Sequence, residues 1–381
     1  MNYRKNPKVL FLMNQVRPGT GPFQRAIRLD DKVFDITILS CYDSQNELNS
    51  TASLLTSNLG SRSILGFGEK NKIALFFKLM HYLKQAKPDI VQTAHTYSAI
   101  LAILICRVFG LGIVVNFEGT LFHRKGVFKS FLTKLALSPA HAAICVSHAV
   151  YQSNSFSENF LRKRMNRTVI YNGVDFDDID NTPQTLFDWK KKISINSFVV
   201  GFVGDLKSVK DIPTLIRATK EVSLKSKDIL VLIVGGGDLK SELKMLAQQC
   251  GVLEKIIFTD QIERHEVYQA LKVMDVFVMP SLIEGLSESI AQSMASSLPV
   301  VVSNIAPNRE LVINGENGFL FNNGDYKALA RHILALEGSP AMRQKFGLKN
   351  RAIAEEKLNI NKIVVQYKEF YQGLLKVKRG W

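Results

Sequence analysis

A chain of 381 residues, 46% hydrophobic and 22% charged, carries apolar surface enough for two cores and excludes a disordered, fibrous or coiled-coil protein. Its four cysteines, Cys41, Cys106, Cys145 and Cys250, stand far apart with no C-x-x-C pair, so they encode neither a disulfide framework nor a zinc site and fit a reducing compartment. The net charge of +15 is uneven: residues 60–170 hold 15 Lys and Arg against Glu69, Asp89, Glu118 and Glu158, which would attract phosphorylated substrates, anionic lipid or nucleic acid alike.

Residues 8–13 form an apolar run too short for a signal-peptide core and lacking a small-residue cleavage site, so they read as a first strand. Further strands are predicted over 34–39, 89–92, 112–116, 142–146 and 167–171, with helical periodicity over 23–29, 72–85, 99–109 and 125–137. The longest apolar stretch, 97–115, contains Arg107 in its middle and Gly110 and Gly112 near its end; it reads as a helix followed by a buried strand, not a membrane span. In that setting the sequons at Asn49 and Asn166 carry no glycosylation meaning.

After residue 174 the chain turns acidic and Asn181-Thr-Pro183 supplies a breaker, which places a domain boundary at 178–196. A second round of strands follows at 198–203, 229–234, 255–258, 276–279 and 300–302, each with a helical pattern behind it. The tail over 343–375 is helical and expected to pack against both halves. This alternation predicts an α/β protein of two Rossmann-like, doubly wound domains, 1–180 and 190–360, with a last helix at about 361–381 returning to the first. Open parallel sheets gather ligands at the carboxyl ends of their strands, so the expected site is a cleft between the domains.

The most informative stretch runs from Asp275 through Pro280-Ser-Leu-Ile-Glu284-Gly285-Leu-Ser-Glu to Gln292 and Pro299. A buried strand stops at Pro280, a turn carries Glu284 and Gly285, and Ser287 caps a helix whose first N–H groups point toward the expected site. The arrangement is either an anion seat with a carboxylate beside it or an ordinary strand–turn–helix in which Glu284 only caps.

This stretch resembles the retaining GT-B glycosyltransferases called glycosyl transferases group 1, or family four, whose signature is P-S-x-x-E-G with a second Glu eight positions after the first. The likeness extends to Ile170-Tyr-Asn-Gly-Val-Asp175, to Gly201-Phe-Val-Gly204 through Lys210, to Leu230-Val-Leu-Ile-Val-Gly-Gly-Gly237, and to Asn314-Gly-Glu-Asn-Gly-Phe-Leu320. It implies a hexosyltransferase-like enzyme that moves a sugar, with retention and without a tightly bound metal, from a nucleotide diphosphate sugar (UDP- or GDP-) to an acceptor hydroxyl in polysaccharide, lipopolysaccharide or glycolipid synthesis. Without a metal, fixed cations must meet the charge on the leaving diphosphate.

The resemblance assigns that task to Lys210 and places Gly204 beside the phosphates. Many members carry an Arg after this glycine; here Asp205 stands there, and would repel phosphate by a few kcal/mol. Lys207 is implied to supply the missing charge, as in variants that shift the cation two residues on. Glu284 corresponds to the Glu that contacts donor-sugar hydroxyls, and the backbone at Gly285, Leu286, Ser287 and Glu288 to the phosphate contacts. Gln292 replaces the second Glu and keeps a carbonyl acceptor for the ribose hydroxyls without the charge.

In the first half, His95 ends the strand Asp89-Ile-Val-Gln-Thr-Ala-His95 and matches the family's strand-end histidine near the transferred sugar, while Glu118 occupies a comparable strand end. Gly19 and Gly21 stand where most members have a Gly-Gly loop, but prolines flank them, and the bare G-x-G lacks the dinucleotide continuation. His123, His141, His148, His265 and His332 have no ligand spacing, and no metal site is expected.

Residues 69–87, 121–137 and 161–167 mix lysines and arginines with apolar residues. One reading is a core face with a solvated rim, the other a peripheral dock on an anionic membrane surface, which suits a cytoplasmic enzyme with a carbohydrate or lipid-linked acceptor. No nucleic-acid motif occurs. Asp205, Gln292 and the altered glycine loop leave open a rival, a non-catalytic relative acting as a partner or scaffold subunit, and a second rival keeps the fold with an epimerase or phosphorylase reaction.

Overall fold

The computed structural model describes residues 6–16, 21–52, 61–93, 96–119, 140–152, 166–183, 193–194 and 196–378. The chain divides into two units, Met1–Asn172 with Asn361–Trp381, and Gly173–Ile360.

In the first unit seven strands, β1 (Lys8–Met13), β2 (Asp35–Ser40), β3 (Ser63–Gly66), β4 (Ile90–Thr93), β5 (Ile113–Glu118), β6 (Ala142–Cys145) and β7 (Asn166–Val169), form a parallel sheet in the order 3-2-1-4-5-6-7. In the second, six strands, β8 (Phe198–Val203), β9 (Ile229–Val234), β10 (Ile256–Phe258), β11 (Val276–Met279), β12 (Val300–Ser303) and β13 (Gly318–Phe321), form another in the order 10-9-8-11-12-13. Both are doubly wound, and the winding reverses between β1 and β4 and between β8 and β11. A loop leaving either strand of such a pair has no crossover helix above it, which opens a crevice at the carboxyl ends.

Local sequence explains the elements. Every residue of β8 and β9 is buried, because helices cover both faces of a parallel sheet, and the strands read accordingly as unbroken apolar runs. The helix Lys72–Ala86 starts where the Asn71 side chain accepts from the N–H groups of Ile73 and Ala74, buries Leu75, Leu79 and Leu83 at four-residue spacing, and stops at Lys87, which turns left-handed ahead of Pro88. Those leucines share a core with Leu10, Leu12, Val91 and Val114 of the sheet and with Ala99, Ala102 and Cys106 of the helix Thr96–Phe109.

The stretch over 97–115 resolves into that helix and the start of β5, and among the described residues no helix is long and apolar enough to cross a membrane. The helix predicted over 125–137 lies outside the described residues. Two strands were not expected: β3 and β13 are four-residue edge strands, only partly buried. The final helix, Ile360–Lys378, completes the first unit: Tyr371 donates to the Gln92 side-chain oxygen at 2.8 Å, and Lys368 reaches Asp30 at 2.9 Å.

Candidate functional site

At the switch point of the second sheet, the loop after β8 and the loop after β11 meet. The first leaves β8 at Gly204, passes through a one-turn 3₁₀ helix at Ser208–Lys210, and enters the helix Ile212–Ser223 through Asp211, a non-glycine residue held left-handed at φ 45°. Three glycines after β9 make room for it. Gly204 N–H donates to Val234 O and Leu206 N–H to Gly236 O, both at 2.9 Å, so the two loops zip together. A Cβ on Gly235, at φ 136°, would lie 2.1 Å from the Gly204 carbonyl oxygen; no other residue type permits this approach.

The second loop is held from below. Ser303 donates to the carbonyl of Ser281 at 2.5 Å, and Asn308 in turn donates to the Ser303 carbonyl and hydroxyl at 2.9 and 3.2 Å. Leu282 N–H donates to Val209 O at 2.9 Å, which ties the second loop to the first. Ser287 then caps the helix Glu288–Ala295, accepting from Ile290 N–H, and its first turn also holds Glu288.

These supports bring together two residues 74 positions apart: the Lys210 ammonium donates to Glu284 Oε1 at 2.6 Å. The side chains retain only 19% and 9% of their exposure, so a cation and an anion are held largely out of water beside a helix N-terminus. Such a pair can receive a ligand that carries both an anionic group for the lysine and hydroxyls for the carboxylate.

Asp205 and Lys207 pair with each other at 2.5 Å, both largely exposed, so the cation proposed to replace the missing arginine is already matched by a carboxylate. Gln292 is buried, and its amide donates to Glu288 Oε1 at 3.4 Å, which leaves its carbonyl oxygen as the acceptor. Gly285, Leu286 and Ser287 are buried at the helix entry. The sequence reading missed Ser281, Ser303 and Asn308 as supports; polar residues scattered over 28 positions carry no local signal.

In the first unit Gly19 and His95 lie outside the described residues, as do His123 and the predicted basic stretches over 121–137 and most of 161–167. Gly21 opens the helix Gly21–Arg28, and Glu118 ends β5 in register with Cys145 of β6. Beneath the β4 end, Thr93 and Asn116 are buried side by side, with the Thr93 hydroxyl 3.4 Å from the Asn116 side-chain oxygen. Two histidines have structural roles: His141 Nδ1 accepts from Val114 N–H at 3.1 Å, and His332 stacks on Phe319 at 4.4 Å.

The family described as glycosyl transferases group 1 matches residues 184–352, and that described as glycosyltransferase family 4 matches residues 26–178. The capsular polysaccharide biosynthesis glycosyltransferase CapM of Staphylococcus aureus is 26% identical over 335 residues, covering 82% of this chain and 85% of its own. The UDP-Gal:alpha-D-GlcNAc-diphosphoundecaprenol alpha-1,3-galactosyltransferase of Escherichia coli is 31% identical over 256 residues, 65% of this chain and 66% of its own. Among solved structures, Anabaena HepE in complex with UDP and glucose superposes with a TM-score of 0.78 at 18% identity, over 97% of this chain and 100% of that one.

Proposed function

Because the chain belongs to the group 1 glycosyltransferases of GT-B fold, and so moves sugar from a nucleotide sugar to an acceptor, we propose that it does so with retention and without a metal ion. The observation that carries this reading is the Lys210–Glu284 pair at the second sheet's switch point, beside the N-terminus of the helix Glu288–Ala295.

On this reading the nucleotide sugar occupies the second unit and the acceptor belongs to the first. Lys210 exchanges its bond to Glu284 for a phosphate oxygen of the donor, and the N–H groups of Leu286, Ser287 and Glu288 meet the same diphosphate. Glu284, released from the lysine, accepts from hydroxyls of the sugar. Gly204 and Gly285 let backbone approach the phosphates, Lys207 adds a second positive charge, and the Gln292 carbonyl accepts from the ribose. From the first unit His95 and Glu118 orient the sugar and acceptor, and Gly19 and Gly21 let the backbone approach them.

The acceptor oxygen attacks the anomeric carbon from the face the diphosphate leaves. The bond from carbon to phosphate oxygen breaks, the bond to the acceptor oxygen forms, and the departing phosphate takes the acceptor's proton. Lys210 and the helix N–H groups stabilise the charge that grows on it.

UDP is the favoured base, since HepE was crystallised with UDP and the E. coli relative is named for UDP-Gal. That relative's diphosphoundecaprenol acceptor and the capsular role of CapM favour a carbohydrate or lipid-linked acceptor at the cytoplasmic face of a membrane. Calorimetry against UDP and GDP, followed by product analysis with EDTA present, tests the reading. Binding of UDP and chelator-resistant transfer with an α product are expected; an inverted product or dependence on added metal would overturn the mechanism. Asp205 and Gln292 favour one alternative, a non-catalytic relative, and failure of every nucleoside diphosphate to bind would select it.

A further inference from the structure

We propose that a cavity at the amino end of the first sheet binds a single sugar residue, held between the Lys8 ammonium and the Asp35 carboxylate. The site lies where β1 and β2 begin, roughly 16 Å along the strands from the carboxyl ends at which the transfer chemistry is placed. Lys8 stands opposite Asp35, and Leu10 opposite Thr37. Alternate residues of a strand share a face, so all four side chains lie on the face that the helix Lys72–Ala86 covers.

Two opposite charges in register on neighbouring strands would ordinarily pair. Here the Lys8 ammonium turns instead to the Ala86 carbonyl at 3.1 Å, drawn by the partial negative charge at that helix's carboxyl end. Among the described residues no side chain binds the Asp35 carboxylate, which is exposed. The gap so opened is a cavity of about 170 Å³, walled by Tyr82, Ala86 and Pro88 and floored by Leu10 and Thr37. Pockets for drug-sized ligands start at roughly 300 Å³, so this one takes a single ring and excludes a nucleotide.

The polar groups decide which ring. Neighbouring sugar hydroxyls can donate to a carboxylate and accept from an ammonium, which are the two contacts the gap leaves unmade. The Thr37 hydroxyl, 3.0 Å from that of Ser63, and the Tyr82 phenol add neutral partners, and Ala86 and Pro88 offer apolar surface to the C–H face of the ring. Burial, and the Asp35 charge after it, raise the Tyr82 phenol above its ordinary value against the pull of the Thr37 hydroxyl, so it stays a donor. The two charges cancel, so a simple anion gains nothing net. An amino-acid zwitterion would match the charges but would turn apolar carbon toward the hydroxyls.

The proposal is independent of the donor-site reading, and saturation-transfer NMR on the full chain tests it with the methyl α-glycosides of glucose, galactose and N-acetylglucosamine, and with alanine. At least one glycoside should receive saturation from wild type, and alanine none. Asp35→Ala and Lys8→Met should each weaken that binding by about tenfold or more, the effect of one lost charge-assisted contact. Glu284→Ala, at the donor site, should leave it unchanged, and UDP binding by Asp35→Ala should match wild type. Circular dichroism melts establish folding; should Lys8→Met lose it with the helix contact, Asp35→Ala, whose carboxylate supports nothing, decides. Isomaltotriose competing better than methyl α-glucoside would identify the ligand as a residue of a saccharide chain, and equal competition as a free sugar. Silence from every glycoside, binding intact in Asp35→Ala, binding abolished in Glu284→Ala, or transfer to alanine alone would each overturn the proposal.

Discussion

Lys210 and Glu284 stabilise each other in the free protein and must part when the donor arrives, so activity and stability respond to them differently. With the Glu284 side chain only 9% exposed, Lys210→Ala leaves a largely buried carboxylate without its cation, at a cost on the order of 1–3 kcal/mol in unfolding free energy. Removing Glu284 as well should recover most of that loss and none of the turnover, which is expected to fall on the order of a hundred- to a thousandfold in both variants. Urea unfolding beside a sugar-transfer assay checks the pair, and parallel recovery of both quantities would show that Lys210 acts only through folding. Asp205 acts in the opposite sense. It holds Lys207 in an exposed ion pair, so Asp205→Asn frees a cation near the proposed diphosphate. UDP should bind a few-fold more tightly, in line with ~0.2–1 kcal/mol for such pairs, and the gain should vanish at high salt. Calorimetry at two ionic strengths measures it; a gain that persists at 1 M salt would point to a rearranged loop.

The loop after β9 shows how one element holds another's chemistry. Gly235→Ala places a methyl group 2.1 Å from the Gly204 oxygen at a backbone angle that disfavours any side chain, so the loop carrying Lys207 and Lys210 must move. A loss of about 2–4 kcal/mol is expected, with UDP affinity falling further than stability alone explains; thermal melts with and without UDP check this. The same element marks what the sequence could disclose. β8, β9 and β11 were readable to the residue because both faces are buried and every position is apolar or glycine, while β3 and β13 escaped because edge strands of four residues, only partly buried, are too short to show a period. Glu284 and Lys210 could be named from motif and spacing. That they touch could not, because contact across 74 residues depends on β8 and β11 being neighbours, a fact of strand order. Nor could the Asp205–Lys207 pairing, since residues two apart on a loop meet only if the turn folds them together.

At the scale of the molecule, the chain's last helix returns to finish the unit its first strand began, and this makes that unit sensitive to pH. Tyr367 and Tyr371 are fully buried there, and burial holds the Tyr371 phenol well above its ordinary value of 10.0. Burial also pushes Tyr268, in the second unit, up to about 12. For a phenol whose pKa is higher folded than unfolded, the stabilisation is complete below pH 10, the unfolded value, and is lost as pH rises toward the folded one. Unfolding free energy from urea titrations followed by circular dichroism should therefore begin to fall near pH 9, where the Cys41 thiol, pushed by burial from 9.0 up to about 12, ionises in the unfolded chain, and fall more steeply beyond pH 10. Tyr371→Phe removes one of these groups and leaves the Gln92 oxygen without its donor, at a cost of about 1–3 kcal/mol at neutral pH. The variant should also lose less stability than wild type between pH 9.5 and 11, so the two curves converge. Hydrogen exchange at pH 7.5 should place the neutral-pH loss in β1, β2 and β4 around Tyr371 while β8 and β9 keep their protection. Equal loosening of β8 and β9 would mean that the terminal helix stabilises the second unit as well, and that the fold is not divided as the described cores divide it.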